Sequence, residues 1–220
     1  DFVELPNWFI SQNSDKSKKE KNNFLFSILQ KPSLHIVFKD KNFINSFNQD
    51  YVLASEKSIF VKNFSSIESL PRYKDGEWWV QDFISMLPIS MIKNIAKKEI
   101  IDLCAAPGGK SFQILSQNDK LLMYEINTRR ALVLKQNLKR LGYINNVNIN
   151  DSRKINTNSK FDIVILDVPC SSVGTVRRNP EILFRSKEPN LKIITKIQKE
   201  LLDTAKKIVK KKWHHTLYGL

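Results

Sequence analysis

Cysteine is nearly missing: 220 residues carry only Cys104 and Cys170. That excludes a disulfide scaffold, and the pair has no zinc-ligand spacing, so a reducing cytoplasm is the expected location. Histidine is scarce too. His214 and His215 are adjacent, but two neighbours without partners do not make a metal site, and no metal is expected. No apolar run reaches transmembrane length and no signal peptide is visible, so no membrane partner is expected. No internal repeat or low-complexity segment is present. Acidic residues are outnumbered, 22 Asp and Glu against 36 Lys and Arg, a formal charge of +14.

What is there is a chain of ordinary globular composition, 41% hydrophobic, long enough for one sizeable core plus a small second unit. The charge points to a polyanionic partner, with nucleic acid first. AT-rich coding, which crowds a chain with Lys, Asn and Ile, is the competing account. The chain opens at Asp1 rather than Met, as a fragment with sequence missing upstream would.

Residues 102–111, Asp-Leu-Cys-Ala-Ala-Pro-Gly-Gly-Lys-Ser, are the most informative segment. An apolar run ending at Leu103 stops at a small-residue turn, and an amphipathic stretch from Lys110 follows. The pattern predicts strand, tight turn and helix start, where a ligand can approach bare backbone and free N–H groups. Gly109-Lys110-Ser111 matches the end of a Walker-type phosphate loop. That loop needs a glycine five positions before Gly109, where Cys104 stands. An ordinary strand–helix turn without a ligand is the other alternative.

Residues 1–75 lack an α/β rhythm. Ser14–Lys21 reads as a Lys-rich loop, and short strands are expected at Leu34–Phe38, Tyr51–Leu53 and Ser58–Val61. Arg72–Gly76 reads as a linker, and Gly76–Asp82 leads into a helix running to about Ile95. The pair Trp78-Trp79 reads as core before ligand platform. From Glu99 the chain alternates. Strands are expected at Leu121–Ile126, Val147–Ile149 and Phe161–Val168, the last buried on both faces as in a parallel sheet. Thr128 is placed to cap a helix whose face is Ala131, Leu134, Leu138 and Leu141, ended by Gly142. Ile194, Ile197, Leu201, Ala205 and Ile208 mark a long final helix. Its basic end suits the helix dipole without invoking RNA.

This alternation implies an α/β, doubly wound sheet with its ligand at the carboxyl ends of the strands. Polar residues gather at those ends: Asp102 and its turn, Glu125, Asp151, and Asp167 with Cys170. An acid at Glu125 is placed to accept hydrogen bonds from two ribose hydroxyls, and Asp151 to meet an adenine amino group, though a solvated strand-end carboxylate explains either alone. Cys170, beside Asp167 and Pro169, reads as a functional thiol against the alternative of a small core hydrophobe.

Asp102–Ser111 and DVPCSSVGTVRRNP at 167–180 resemble motifs of the RNA cytosine-C5 methyltransferases of the Sun/NOL1/NOP2 family, nearest its bacterial 16S rRNA branch. Gly76–Asp82, Glu125-Ile126-Asn127 with Arg130, and Gln198–Leu202 fall in family order, and Pro6–Trp8 with Leu34–Phe38 resemble its RNA-binding lobe. The resemblance implies a small α+β RNA-binding lobe at 1–75. At 76–220 it implies a Rossmann-like S-adenosylmethionine-dependent methyltransferase core, incomplete at its C-terminus. It implies S-adenosylmethionine seated by Cys104, Ala105, Ala106, Pro107, Gly108, Gly109 and Lys110, with Glu125 on its ribose, Asp151 on its adenine, and Arg130 and Asp167 beside it. Cys170, Asp167 and Lys110 are the expected catalytic set, with Asp167 at the junction of cofactor and a base presented out of its stack. The reaction implied is methylation of cytosine C5 in RNA, 16S rRNA favoured, through a thiolate adduct at C6, by a monomer. A tRNA substrate, a non-catalytic RNA-binding remnant and a P-loop nucleotide hydrolase are the alternatives.

The family uses two cysteines. The one matching Cys170 helps release product, and the attacking thiolate comes from a Thr-Cys-Ser-like strand end after the long helix. No such residue stands here: after Lys210 the chain reads KKWHHTLYGL. A frameshift accounts for that tail, because one permitted codon choice read one base later gives KNGIILYMVC, an apolar strand with a cysteine. The gene sequence tests this. Without a fifth strand the fourth keeps an open hydrophobic edge. The chain as written is therefore expected to fold poorly, bind cofactor weakly and methylate little.

Overall fold

A computed structural model describes residues 6–185 and 187–210. They divide into two compact units, one of 6–32 with 169–185 and 187–197, and one of 33–168 with 198–210.

In the first unit, α1 (Asn7–Gln12) and α2 (Lys18–Leu29) pack with short 3-10 turns at Val173–Thr175 and Pro180–Phe184. Its core is Phe9, Val176 and Leu183, flanked by Trp8, Phe24, Ile28 and Val173. Phe9 stacks on Phe24 with ring centres 5.2 Å apart. The expected loop at Ser14–Lys21 is in part helix. Ser17 and Glu20 form a reciprocal capping box that starts α2 within the lysine run.

The second unit holds two four-stranded sheets. The antiparallel sheet has the order β2-β3-β1-β4, from β1 (Leu34–Phe38), β2 (Tyr51–Ser55), β3 (Ser58–Val61) and β4 (Trp78–Val80). Strand alternation splits its side chains between two cores. Ile36, Phe38, Ile59 and Trp78 join one with Phe47 and Leu70; Val37 and Trp79 join the core of the parallel sheet. Both tryptophans are core residues. β4 was not foreseen, because three residues leave too little alternation to read. It pairs with β1, so the antiparallel sheet takes in residues beyond the expected boundary at 75. The expected linker is a packed turn. Arg140 Nη1 donates to the carbonyls of Tyr73 and Trp78, both at 3.0 Å. Gly76, at φ +67°, lies where a Cβ would be 2.0 Å from the Arg140 carbonyl oxygen. The following helix, α3 (Phe83–Ser90), ends short of Ile95.

The parallel sheet has the order β7-β6-β5-β8, from β5 (Ile100–Asp102), β6 (Leu121–Tyr124), β7 (Val147–Asn148) and β8 (Ile163–Ile165). Its helices are α4 (Gly109–Leu115), α5 (Thr128–Arg140) and, in part, α6 (Leu191–Ile208). The chain reverses its direction of winding between β5 and β8, the position where open α/β sheets bind ligands. Ala131, Leu134 and Leu138 bury one face of α5 as expected, and Gly142 follows its end at φ +68°. Asn127, not Thr128, caps α5, accepting from the Arg130 amide at 3.0 Å. Both residue types cap well, and only the backbone decides between them. β8 is less enclosed than its apolar run implies. Ile163 and Val164 are only half-buried, since β8 lies last in the sheet order among the described residues. Val209 bridges in parallel to Phe161, and the Lys210 amide donates to the Phe161 carbonyl at 3.0 Å. Residues 211–220, and the frameshift reading with them, lie outside the described residues.

Candidate cofactor site at the carboxyl ends of the parallel strands

β5 delivers Asp102 into the interior, 1% exposed. Its carboxylate holds the turn that follows: Oδ1 accepts from the Cys104 amide at 3.2 Å and Oδ2 from Ser111 Oγ at 2.7 Å. One acid thus clamps the turn's entry to the first turn of α4. Burial raises its pKa to about 6, against the lowering effect of those two donors. The turn is also pinned to its neighbours, with the Ala105 amide donating to the Tyr124 carbonyl at 2.9 Å and the Leu103 amide to that of Ile165 at 3.1 Å. Gly108, at φ +118°, lies where a Cβ would sit 2.1 Å from the Phe112 ring. Ala105 and Ala106 are buried, and Pro107 is exposed.

Cys104 is not a reactive thiol. Burial, with the carboxylates of Asp102, Glu125 and Asp167, pushes its pKa up to about 12.

β6 delivers Glu125, 2% exposed. Oε1 accepts from the Asn127 amide at 2.9 Å. Oε2 is buried without a hydrogen-bond partner, and Arg130 Nη1 approaches it to 3.6 Å. The other arm of Arg130 donates to the Ala106 carbonyl, so this arginine ties the turn to the acid beside it. Lys110, its side chain 9% exposed, donates through Nζ to Asp167 Oδ2 at 2.7 Å. Asp167 itself faces solvent at the end of the β8 segment.

The structure therefore joins Cys104, Ala105, Ala106, Lys110, Glu125, Arg130 and Asp167 through β5, β6 and the turn. Asp151 has different company. Both its oxygens accept from the Arg153 guanidinium, 2.7 Å at the closest, and that bond lowers its pKa. Arg153 also reaches Glu200 on α6 at 2.8 Å. Cys170 belongs to the first unit, where its Sγ accepts from the Ser172 amide at 3.4 Å. Asp102, expected at the strand end without a role, and Ser111 form the clamp that holds the turn. An acid at a strand end with a hydroxyl nine residues on was the available signal. Among the described residues, no cluster of three or more His, Cys, Asp or Glu could hold a metal, and no helix is long and apolar enough to cross a membrane.

A family profile described as 16S rRNA methyltransferase RsmB/F matches residues 90–218. A ribosomal RNA small subunit methyltransferase B from Photorhabdus laumondii is 35% identical over 162 residues, 71% of this chain and 38% of that protein. Its namesake from Proteus mirabilis is 31% identical over 173 residues, 76% of this chain and 40% of that protein. The chain thus spans about two fifths of the length of these curated relatives. Among solved structures, PH0851 superposes with a TM-score of 0.80 at 24% identity, over 94% of this chain and 51% of that one. NSun6 from Pyrococcus horikoshii, solved with SFG, superposes with a TM-score of 0.76 at 15% identity, over 96% and 82%. These likenesses show the fold. The match covers more than half of the chain, a span that includes the turn and Asp167–Pro180, and on that ground the chain belongs to the 16S rRNA methyltransferase RsmB/F family.

Proposed function

We propose that this chain forms the S-adenosylmethionine-binding core of an enzyme that methylates C5 of a cytosine in RNA, with small-subunit rRNA as the substrate. The observation that carries the reading is Glu125 Oε2, buried and without a hydrogen-bond partner beside the glycine turn. A ribose hydroxyl would satisfy that oxygen, so the residues present fit the cofactor. When bound, S-adenosylmethionine supplies a methyl group on a sulfonium, open to attack by carbon.

Cys104 to Lys110 would line the cofactor, Glu125 hold its ribose and Asp151 its adenine, with Arg130 keeping the turn against Glu125. Lys110 orients Asp167 through its hydrogen bond at 2.7 Å, and Asp167 would hydrogen-bond the cytosine edge. A cysteine thiolate added to C6 makes C5 nucleophilic, and its elimination after loss of the C5 proton releases the product. Cys104, buried with a raised pKa, is unsuited to that step. Cys170, three residues after Asp167 in sequence, is assigned to product release. Residues 1–75 are assigned to RNA binding and those from 76 to the methyltransferase core; the chain's net charge of +14 suits a polyanionic partner. Since the 220 residues hold no third cysteine, they are expected to bind cofactor weakly, with little methyl transfer, which makes a non-catalytic RNA-binding role the second reading.

Titration calorimetry with S-adenosylmethionine tests the site. Glu125→Gln is expected to weaken binding by about ten-fold, the worth of one hydrogen bond to a charged acceptor. Equal affinity in the variant, or displacement of the cofactor by ATP, overturns the assignment. Methyl transfer to 16S rRNA is expected to be small. Robust turnover abolished by Cys170→Ala would make Cys170 the attacking thiol instead.

A further inference from the structure

Behind the glycine turn lies a chain of buried amides that none of the roles above uses. Gln81 and Gln113 are each 6% exposed. Trp79 Nε1 donates to Gln81 Oε1 at 2.8 Å, and Gln81 Nε2 donates to Gln113 Oε1 at 3.1 Å. Gln113 Nε2 donates to the Met86 carbonyl at 3.0 Å and to Ser90 Oγ at 2.9 Å. An indole N–H can only donate and a carbonyl can only accept, so the two ends dictate the orientation of both amides. The relay has one register.

Gln81 is also held by its backbone. Its amide donates to the His35 carbonyl at 3.3 Å, and its carbonyl accepts from His35 Nδ1 at 2.6 Å. That bond puts the imidazole proton on Nδ1, and burial lowers the pKa of His35, keeping the ring neutral. Gln81 is therefore a rigid post on the antiparallel sheet. Its side chain meets the turn directly. A Cβ placed on Gly109 would lie 3.1 Å from Gln81 Cγ and 3.3 Å from Cδ. Gly109 opens α4, and the next two residues are Lys110, which holds Asp167, and Ser111, which holds Asp102.

We propose that Gln81 is a positioning residue for the cofactor turn: its methylenes set the height of Gly109, and its amide, keyed to Gln113, sets the rotation of α4. An apolar contact of the same volume would hold the helix by burial and still let it slide or turn. Paired amides forfeit their hydrogen bonds on any displacement, and an unpaired buried amide is costly. The assignment rests on the cofactor reading above.

A double-mutant cycle in S-adenosylmethionine binding tests it on the 220-residue chain. Gln81→Ala and Gly109→Ala are each expected to weaken binding by about ten-fold. Together they should cost no more than the worse of the two, because the clash partner is gone. Strictly multiplicative losses overturn the proposal. A second comparison separates positioning from bulk stability. Gln81→Met with Gln113→Met refills the space with apolar groups and should recover unfolding stability but not affinity. Recovery of both would reduce the pair to packing. A third measurement needs no ligand, so it stands even if the cofactor reading fails. Hydrogen exchange at the amides of residues 110–112 should quicken by about ten-fold in Gln81→Met, with β5 and β6 amides unchanged. Unchanged exchange at the turn overturns the proposal.

Discussion

In the antiparallel sheet most buried positions are apolar, among them Ile36, Phe38, Ile59, Val61 and Trp78, with His35 and Ser58 the polar ones. In the parallel sheet the strand ends and the helix beside them bury Asp102, Glu125, Lys110, Ser111 and Gln113. Direction explains the difference. Parallel strands present all their carboxyl ends at one edge, so acids and turns from distant parts of the chain converge there. Antiparallel strands alternate their ends and gather no such edge. The antiparallel sheet is thus mainly the apolar support, and Gln81, just past β4, meets the polar region with Trp79 Nε1 and His35 holding it.

The comparison can be broken most severely at Trp78. Trp78→Ala removes a fully buried indole and is expected to cost about 3–5 kcal/mol in urea unfolding. Cofactor affinity should hold on the folded baseline. Lost affinity at unchanged stability would mean that the supporting sheet belongs to the site.

Asp102 sharpens the other side. Its folded pKa of about 6 lies above the ordinary 3.8, so the folded state keeps a proton that the unfolded chain has lost. Stability from this group therefore falls as pH rises from about 4 to 6 and is flat above, by about 2–3 kcal/mol in all. Asp102→Asn should remove that slope, because an amide cannot titrate. Unfolding curves at several pH values check it, and a slope that survives the substitution assigns it elsewhere.

The smallest effect is expected outside both sheets' cores. Lys206 and Asp203 on α6 are 3.9 Å apart with both side chains about half exposed. Lys206→Ala should shift stability by no more than about 0.5 kcal/mol. A larger loss in thermal unfolding would give this exposed pair a share in the fold that its geometry does not provide.

Much of this was legible locally. Three of the four antiparallel strands, the turn, the face of α5 and the final helix follow from periodicity and turn chemistry. The misses share a cause. β4 is three residues long and exists only because β1 lies beside it. α2 begins inside a lysine run because a capping box outweighs composition. The half-exposure of Ile163 and Val164 depends on what lies beside β8. For the candidate site, the acids at the strand ends and the turn were readable, whereas the pairing of Gln81 with Gln113 was not, because the two are 32 residues apart in sequence.

By itself the sequence determined the alternation of strands and helices, the small-residue turn at 102–111 and the placing of Asp102, Glu125, Asp151 and Asp167 after apolar runs. Side-chain periodicity and turn preference act over a few residues, so a linear reading reaches them. Tertiary structure alone decided that Asp102 titrates near 6, that Cys104 is held as a thiol, that Glu125 keeps one oxygen without a hydrogen bond, and that Gln81 meets Gly109. Each of these depends on burial and on neighbours brought together by packing, and desolvation has no local signature in a chain.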